Sequence, residues 1–173
     1  MVSRILMTLY QQYLELNMDT SWIGLEKSEA PGNFCTPAGA RIIGWECEGI
    51  HYCFIESCGE MIFAVNPDSC TDKVVYPLAR SFSDFLSLIL AGKSTTPLEQ
   101  IIWMDKEQFN RFLLEHSQIE PAQTKVLQMI QTQLHLSPHP APYEYVRNLQ
   151  AEFDYSRIRL KDEYYDLTGF ERP

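Results

Sequence analysis

The chain has 173 residues, 45% hydrophobic and 21% charged, with a formal net charge of −9. These are ordinary globular values for a chain long enough to bury a core without staples, and the acidic balance argues against non-specific nucleic-acid binding and against docking on anionic lipid. The five cysteines are odd in number and lack C-x-x-C spacing, and the start "MVSRILMTLYQQYLELNMD" has no sustained apolar region or cleavage site. The reading is therefore a cytoplasmic protein with reduced thiols and no signal peptide. No apolar run approaches the roughly 18 residues that a membrane span needs.

Residues Leu6 to Leu16 have apolar spacing that predicts a short helix. "EKSEAPGNFCTPAG" (Glu26 to Gly39) is rich in turn formers and reads as loop. From Ala40, four short β-rich runs follow: "ARIIGWEC", "IHYCFIE", "EMIFAVN" and "KVVYP". Their short separators predict an antiparallel meander over about residues 40–76. The second and third runs are apolar on both faces, so both faces should be covered, one by helices and the other by chain segments. In "ARSFSDFLSLILAGK", Ser81 and Asp84 resemble a capping box, Phe82, Phe85, Leu86 and Ile89 share a face, and Gly92 ends the helix. "TTPLEQ" starts another helix, with Thr96 as the expected cap, Pro97 in its first turn and Glu99 at the third position. Further helices are predicted at 106–116, 121–136 and 142–152, while the tail from Asp154 mixes both signs of charge. The fold class is α+β: an antiparallel meander covered by helices, with a helical C-terminal extension. The division is a core over 1–92 and a mostly helical extension over 93–173 packed on it.

The stretch from Gly39 to Gly92 resembles the SUKH superfamily, which holds a yeast cell-wall-synthesis regulator and many bacterial toxin-immunity proteins. "IIG" at 42–44 leads through a short turn to a strand ending near Ile55, and "MIFAV" follows a glycine turn. "PLARSFSDFLSLIL" then matches a closing helix of the form a-x-S-F-x-x-F-L, carried by Ala79, Ser81, Phe82, Phe85 and Leu86. The family's opening helix and its Asn-Gly-Gly turn have no counterpart in Met1 to Gly39, and the extension after Lys93 is not a family hallmark. The resemblance implies a non-enzymatic protein-binding role, of the immunity or regulatory kind.

Several residues invite a chemical reading. His51 and Cys53 alternate along one strand, about 6.6 Å apart at Cα for a rise of about 3.3 Å per residue, as a base and its nucleophile could. A buried thiol in an apolar strand is the simpler account, because reactive thiols need an exposed, electropositive setting. Glutamates flank this strand instead. Zinc ligation by Cys47, His51, Cys53 and Cys58 lacks the close pairs such sites use, and Pro138 separates His135 from His139. No phosphate-binding glycine loop and no nucleophile elbow is present. The expectation is thus a binding domain without catalytic residues, cofactor or metal, engaging neither nucleic acid nor membrane. The alternative is a small cysteine-dependent hydrolase or transferase using Cys53 and His51. Glu46, Glu48, Glu56 and Glu60 fall at the turns of the meander and are the candidate partner-binding residues. Projecting from the two ends of the sheet, they would favour a protein partner with a basic surface. Self-association into a homo-oligomer is left open.

Overall fold

The computed structural model describes residues 7–173. Met1 to Leu6, including the first residue of the expected N-terminal helix and the start of the stretch read for a leader, lie outside the described residues. Four strands, β1 (Ala40–Trp45), β2 (His51–Ile55), β3 (Ile62–Val65) and β4 (Val75–Ala79), pair antiparallel in sequential order. This is the predicted meander. A bulge between Ile42 and Gly44 offsets the β1–β2 register, and a second irregularity lies between Ile62 and Phe63. The β1–β2 turn runs through Glu48 and Gly49, both at positive φ (59° and 80°).

Every residue of β2, β3 and β4 is buried, so the sheet is a middle layer. On one face Ile43, Tyr52, Phe54, Ile62, Ala64, Tyr76 and Leu78 meet the helices. Chief among these is α2 (Phe82–Gly92), which follows α1 (Leu9–Glu15) in the chain and buries Phe82, Phe85, Leu86 and Ile89. Ser81 caps α2 by accepting from the Asp84 backbone N–H at 3.1 Å. Asp84 does not close the box, because its carboxylate accepts from the Tyr145 hydroxyl at 2.6 Å. The next helix, α3 (Thr96–Gln100), departs from the expected cap: Thr95 holds the N-cap position and Thr96 is the first helical residue. Neither threonine makes a side-chain cap hydrogen bond there.

The extension supplies α4 (Lys106–Glu115), α5 (Pro121–Gln133) and α6 (Pro142–Glu152). These match the predicted helices, and α5 ends three residues sooner, at a cap on Leu134 followed by His135 at φ 55°. α6 packs against β4, where Gln150 donates to the Pro77 carbonyl at 3.2 Å. The opposite face of the sheet, with Cys53, Ile55, Phe63, Val65 and Val75, is covered by Phe34 and Cys35 and by the C-terminal tail. Phe153, Ile158 and Leu160 pack on it, as does Tyr164 of α7 (Asp162–Thr168), a helix within the mixed-charge tail that its composition did not announce. Ala38 donates its backbone N–H to the Arg159 carbonyl at 2.8 Å, which ties the tail to the loop before β1. Among the described residues no helix is long and apolar enough to cross a membrane.

Candidate functional site

A concavity of about 690 Å³ opens where β1 ends. A 3-10 turn at Thr20–Ile23, the end of β1, the C-terminus of α2 and the last turn of α4 surround it. Trp22, Trp45, Phe112, Leu113 and Ile119 give it apolar walls, and Glu26 and Glu46 carry carboxylates to it. Lys93, Thr96, His116 and Gln123 add further polar groups, so the hollow joins apolar walls to hydrogen-bonding and charged side chains, as binding sites do.

The backbone approach that builds this hollow depends on two glycines. Gly24 has φ 78°, and a Cβ there would stand 2.0 Å from the Thr95 hydroxyl and 2.9 Å from a Glu46 carboxylate oxygen. At Gly44, a Cβ would lie 2.7 Å from the Leu25 Cα. The close pass lets Glu26 pair with Trp45 through an isolated antiparallel bridge, with both N–H···O distances at 2.9 Å.

Glu46 is turned into this junction. Its Oε1 accepts from the Tyr52 hydroxyl at 2.7 Å and from the Thr95 hydroxyl. A parallel arrangement lies deeper: Glu99 of α3, only 4% exposed, accepts from Asn66 at 2.7 Å and from the Tyr76 hydroxyl. Thr95 turns its hydroxyl proton to Glu46, with the Gly24 carbonyl also within 3.2 Å, and Glu99 faces the sheet, away from the helix start. Burial holds the Glu46 carboxyl above its ordinary range. The Thr95 and Tyr52 hydrogen bonds pull it back, and the charge of Glu99 pushes it up further. Glu46 joins none of the ion pairs among the described residues. The Trp45 indole N–H is buried without a hydrogen-bond partner.

The four glutamates expected on the rim are therefore not equivalent. Glu48 is exposed at the β1–β2 turn, and Glu56 and Glu60 are exposed at the opposite end of the sheet. Glu46 instead is half-buried, turned inward to accept from the hydroxyls of Tyr52 on β2 and of Thr95 just before α3.

His51 and Cys53 both lie in the core with no exposed surface. The imidazole Nδ1 is 3.0 Å from the Gly49 carbonyl, which can only accept, so Nδ1 carries the proton. Nε2 then accepts from the Thr36 hydroxyl at 2.9 Å. With both nitrogens engaged and the ring tilted against Trp45, centroids 4.3 Å apart, His51 has no lone pair to offer a thiol. Burial depresses its pKa, against the raising effect of the Gly49 hydrogen bond. Burial also pushes the Cys53 thiol up to about 12, far from a thiolate at neutral pH. His139 accepts from the Ala141 backbone N–H at 3.1 Å, while His135 is exposed. Among the described residues no three His, Cys, Asp or Glu side chains converge as metal ligands would.

Comparison with known proteins found no matching family model, no matching curated protein and no matching solved structure. The cleft itself has no local sequence signal. Its walls come from five separate segments, and only the tryptophans, as aromatic side chains enriched at interfaces, point toward it from sequence.

Proposed function

We propose that this chain is a non-enzymatic, cytoplasmic binding domain for a protein partner with a basic surface, of the immunity or regulatory kind that the SUKH resemblance implies. The observation that carries this reading is the cleft at the end of β1, which joins tryptophan walls to an unpaired, half-buried carboxylate. Aromatic walls around a charged group are the composition of interface anchors. The exposed Glu48, Glu56 and Glu60 add long-range attraction, which speeds encounter more than it adds affinity. The competing cysteine-enzyme reading needs a thiolate and a free imidazole at Cys53 and His51, and both side chains are committed to the core.

The test is affinity capture on the immobilised full chain, followed by kinetics with the identified partner. The expected partner is rich in lysine and arginine on its contact surface. Its association rate should fall with salt, and the combined Glu46, Glu48, Glu56 and Glu60→Gln variant should lose that dependence. A rate indifferent to both salt and these substitutions, or self-association by light scattering in place of a second protein, overturns the reading.

A further inference from the structure

We infer that the Glu46 cleft is an anchor pocket for a single arginine side chain of the partner, an assignment that rests on the basic-partner reading above. Two independent features lead to it. The first is charge. A carboxylate taken out of water is normally paired, yet the half-buried Glu46 pairs with no basic side chain of the described residues. The side-chain hydrogen bonds Glu46 receives come from neutral hydroxyls alone, Tyr52 and Thr95 on Oε1 and Thr96 beside them. The fold thus fixes this carboxylate with neutral donors and gives it no cationic partner among the described residues. Lys93 also lines the cleft but is exposed, and His116 commits its Nδ1 to the Phe112 carbonyl at 2.9 Å.

The second feature is the shape and chemistry of the walls. Trp22, 42% exposed, and Trp45 line the same cleft as Glu46 and Glu26. A guanidinium is planar, weakly hydrated, stacks on aromatic faces and bonds a carboxylate through two parallel N–H groups. An ammonium is a strongly hydrated point charge that uses such walls less well. Arginine is therefore the cation that matches indole walls and an acidic floor together.

The three tryptophans make the test direct. Trp22 and Trp45 line the cleft, and Trp103, 43% exposed, lies outside it as an internal control. The full chain, nitrogen-15 labelled, is titrated with the blocked tripeptide Ac-Gly-Arg-Gly-amide and with its lysine and citrulline counterparts. The expected result is saturable movement of the Trp22 and Trp45 indole N–H signals with the arginine peptide, and none at Trp103. Citrulline, a neutral isostere, should not bind, and lysine should bind more weakly. Glu46→Gln should weaken arginine binding about tenfold, as expected for losing a charge-assisted hydrogen bond. Trp22→Leu, a change at an exposed wall, should weaken it without touching the buried network, and so stands in if Glu46→Gln alters the fold. Shifts confined to the surroundings of Glu48, Glu56 and Glu60 overturn the pocket and leave the basic-partner reading standing. Equal binding of citrulline or lysine, or still indoles at saturating arginine peptide, likewise overturns it. A captured partner indifferent to salt, alongside indole shifts with the arginine peptide, ends the broader reading and keeps the pocket.

Discussion

Gly44 carries a constraint that a sequence reader meets only as the last letter of "IIG". The backbone of Leu25 passes so near that a methyl group at position 44 would meet its Cα at 2.7 Å and its carbonyl carbon at 2.8 Å. Both obstacles are backbone, so neither can rotate away. Gly44→Ala should cost about 2–3 kcal/mol, toward the upper end for overpacking, read as a lowered urea midpoint; a loss below about 0.5 kcal/mol would refute the close approach. Glu46 makes a second residue-level prediction. Its carboxyl binds a proton more tightly in the folded chain than at the ordinary value of 4.5. Between those two pKa values the folded state holds more protons than the unfolded state, so stability falls as pH rises through that window and then levels off. Glu46→Gln should therefore remove this fall. The variant should gain on the wild type as pH is raised above about 4.5, measured by thermal unfolding across pH. A wild-type advantage that grows with pH would reverse the sign and the argument. The cysteines give a third. Cys47 and Cys70 are exposed, while Cys35, Cys53 and Cys58 are buried. A thiol reagent should react quickly with two thiols in the native protein and with all five in denaturant, and a third fast thiol would contradict the packing.

At the scale of elements, the sheet and most helices were legible because each has its own periodic signal. The two-sided apolar runs at His51–Ile55 and Ile62–Val65 imply burial on both faces, and both faces are covered. Phe82, Phe85, Leu86 and Ile89 repeat at helical spacing and meet the sheet. Phe85→Ala should cost about 3–5 kcal/mol, the usual range for a buried phenylalanine, and Ser81→Ala about 1 kcal/mol through the lost cap, both by chemical denaturation. What escaped the sequence was decided by partners far along the chain. Thr96 and Glu99 carry a sound local signal for a helix start, and the helix does begin at Thr96, but the capping roles differ: Tyr76 and Asn66 claim Glu99, while the neighbouring Thr95 holds the N-cap position with its hydroxyl turned to Glu46. Local propensity is a weak prior against such competition. The inward turn of Glu46 was hidden for the same reason. A glutamate beside a turn reads as solvated until Tyr52, on the next strand, and Thr95, 49 positions away, are brought to it. The helix at Asp162–Thr168 was masked by charge on its outer side, since its one buried residue, Tyr164, leaves no repeating apolar stripe to read.

For the whole molecule, the consequential feature is that the sheet is finished by the last segment of the chain. The face holding Cys53, Phe63, Val65 and Val75 is covered by the C-terminal tail, with Tyr164 of α7, together with Phe34 and Cys35. Phe153 sets its ring on edge against Phe63, centroids 5.4 Å apart, and Tyr164 stacks on Phe34 at 6.3 Å. Arg157 reaches the Ser57 carbonyl at 3.3 Å, and the Ala38–Arg159 backbone bond holds the strap down. Phe153, Ile158 and Leu160, partly buried, each contribute on the order of 1–2 kcal/mol, and the buried Tyr164 on the order of 1.5–3 kcal/mol. Together they rival the roughly 5–15 kcal/mol that holds a domain folded. The tail is thus part of the core despite its polar composition, and a chain ending at Glu152 should not keep the native state. Its buried cysteines should join Cys47 and Cys70 in reacting fast, a dye that reports exposed apolar surface should bind, and the cooperative unfolding transition should broaden or vanish. The milder Phe153→Ala and Tyr164→Ala changes should lower the midpoint while keeping a single transition. A truncated protein that unfolds cooperatively at the wild-type midpoint, with its three buried thiols still protected, would show that the sheet closes without the strap.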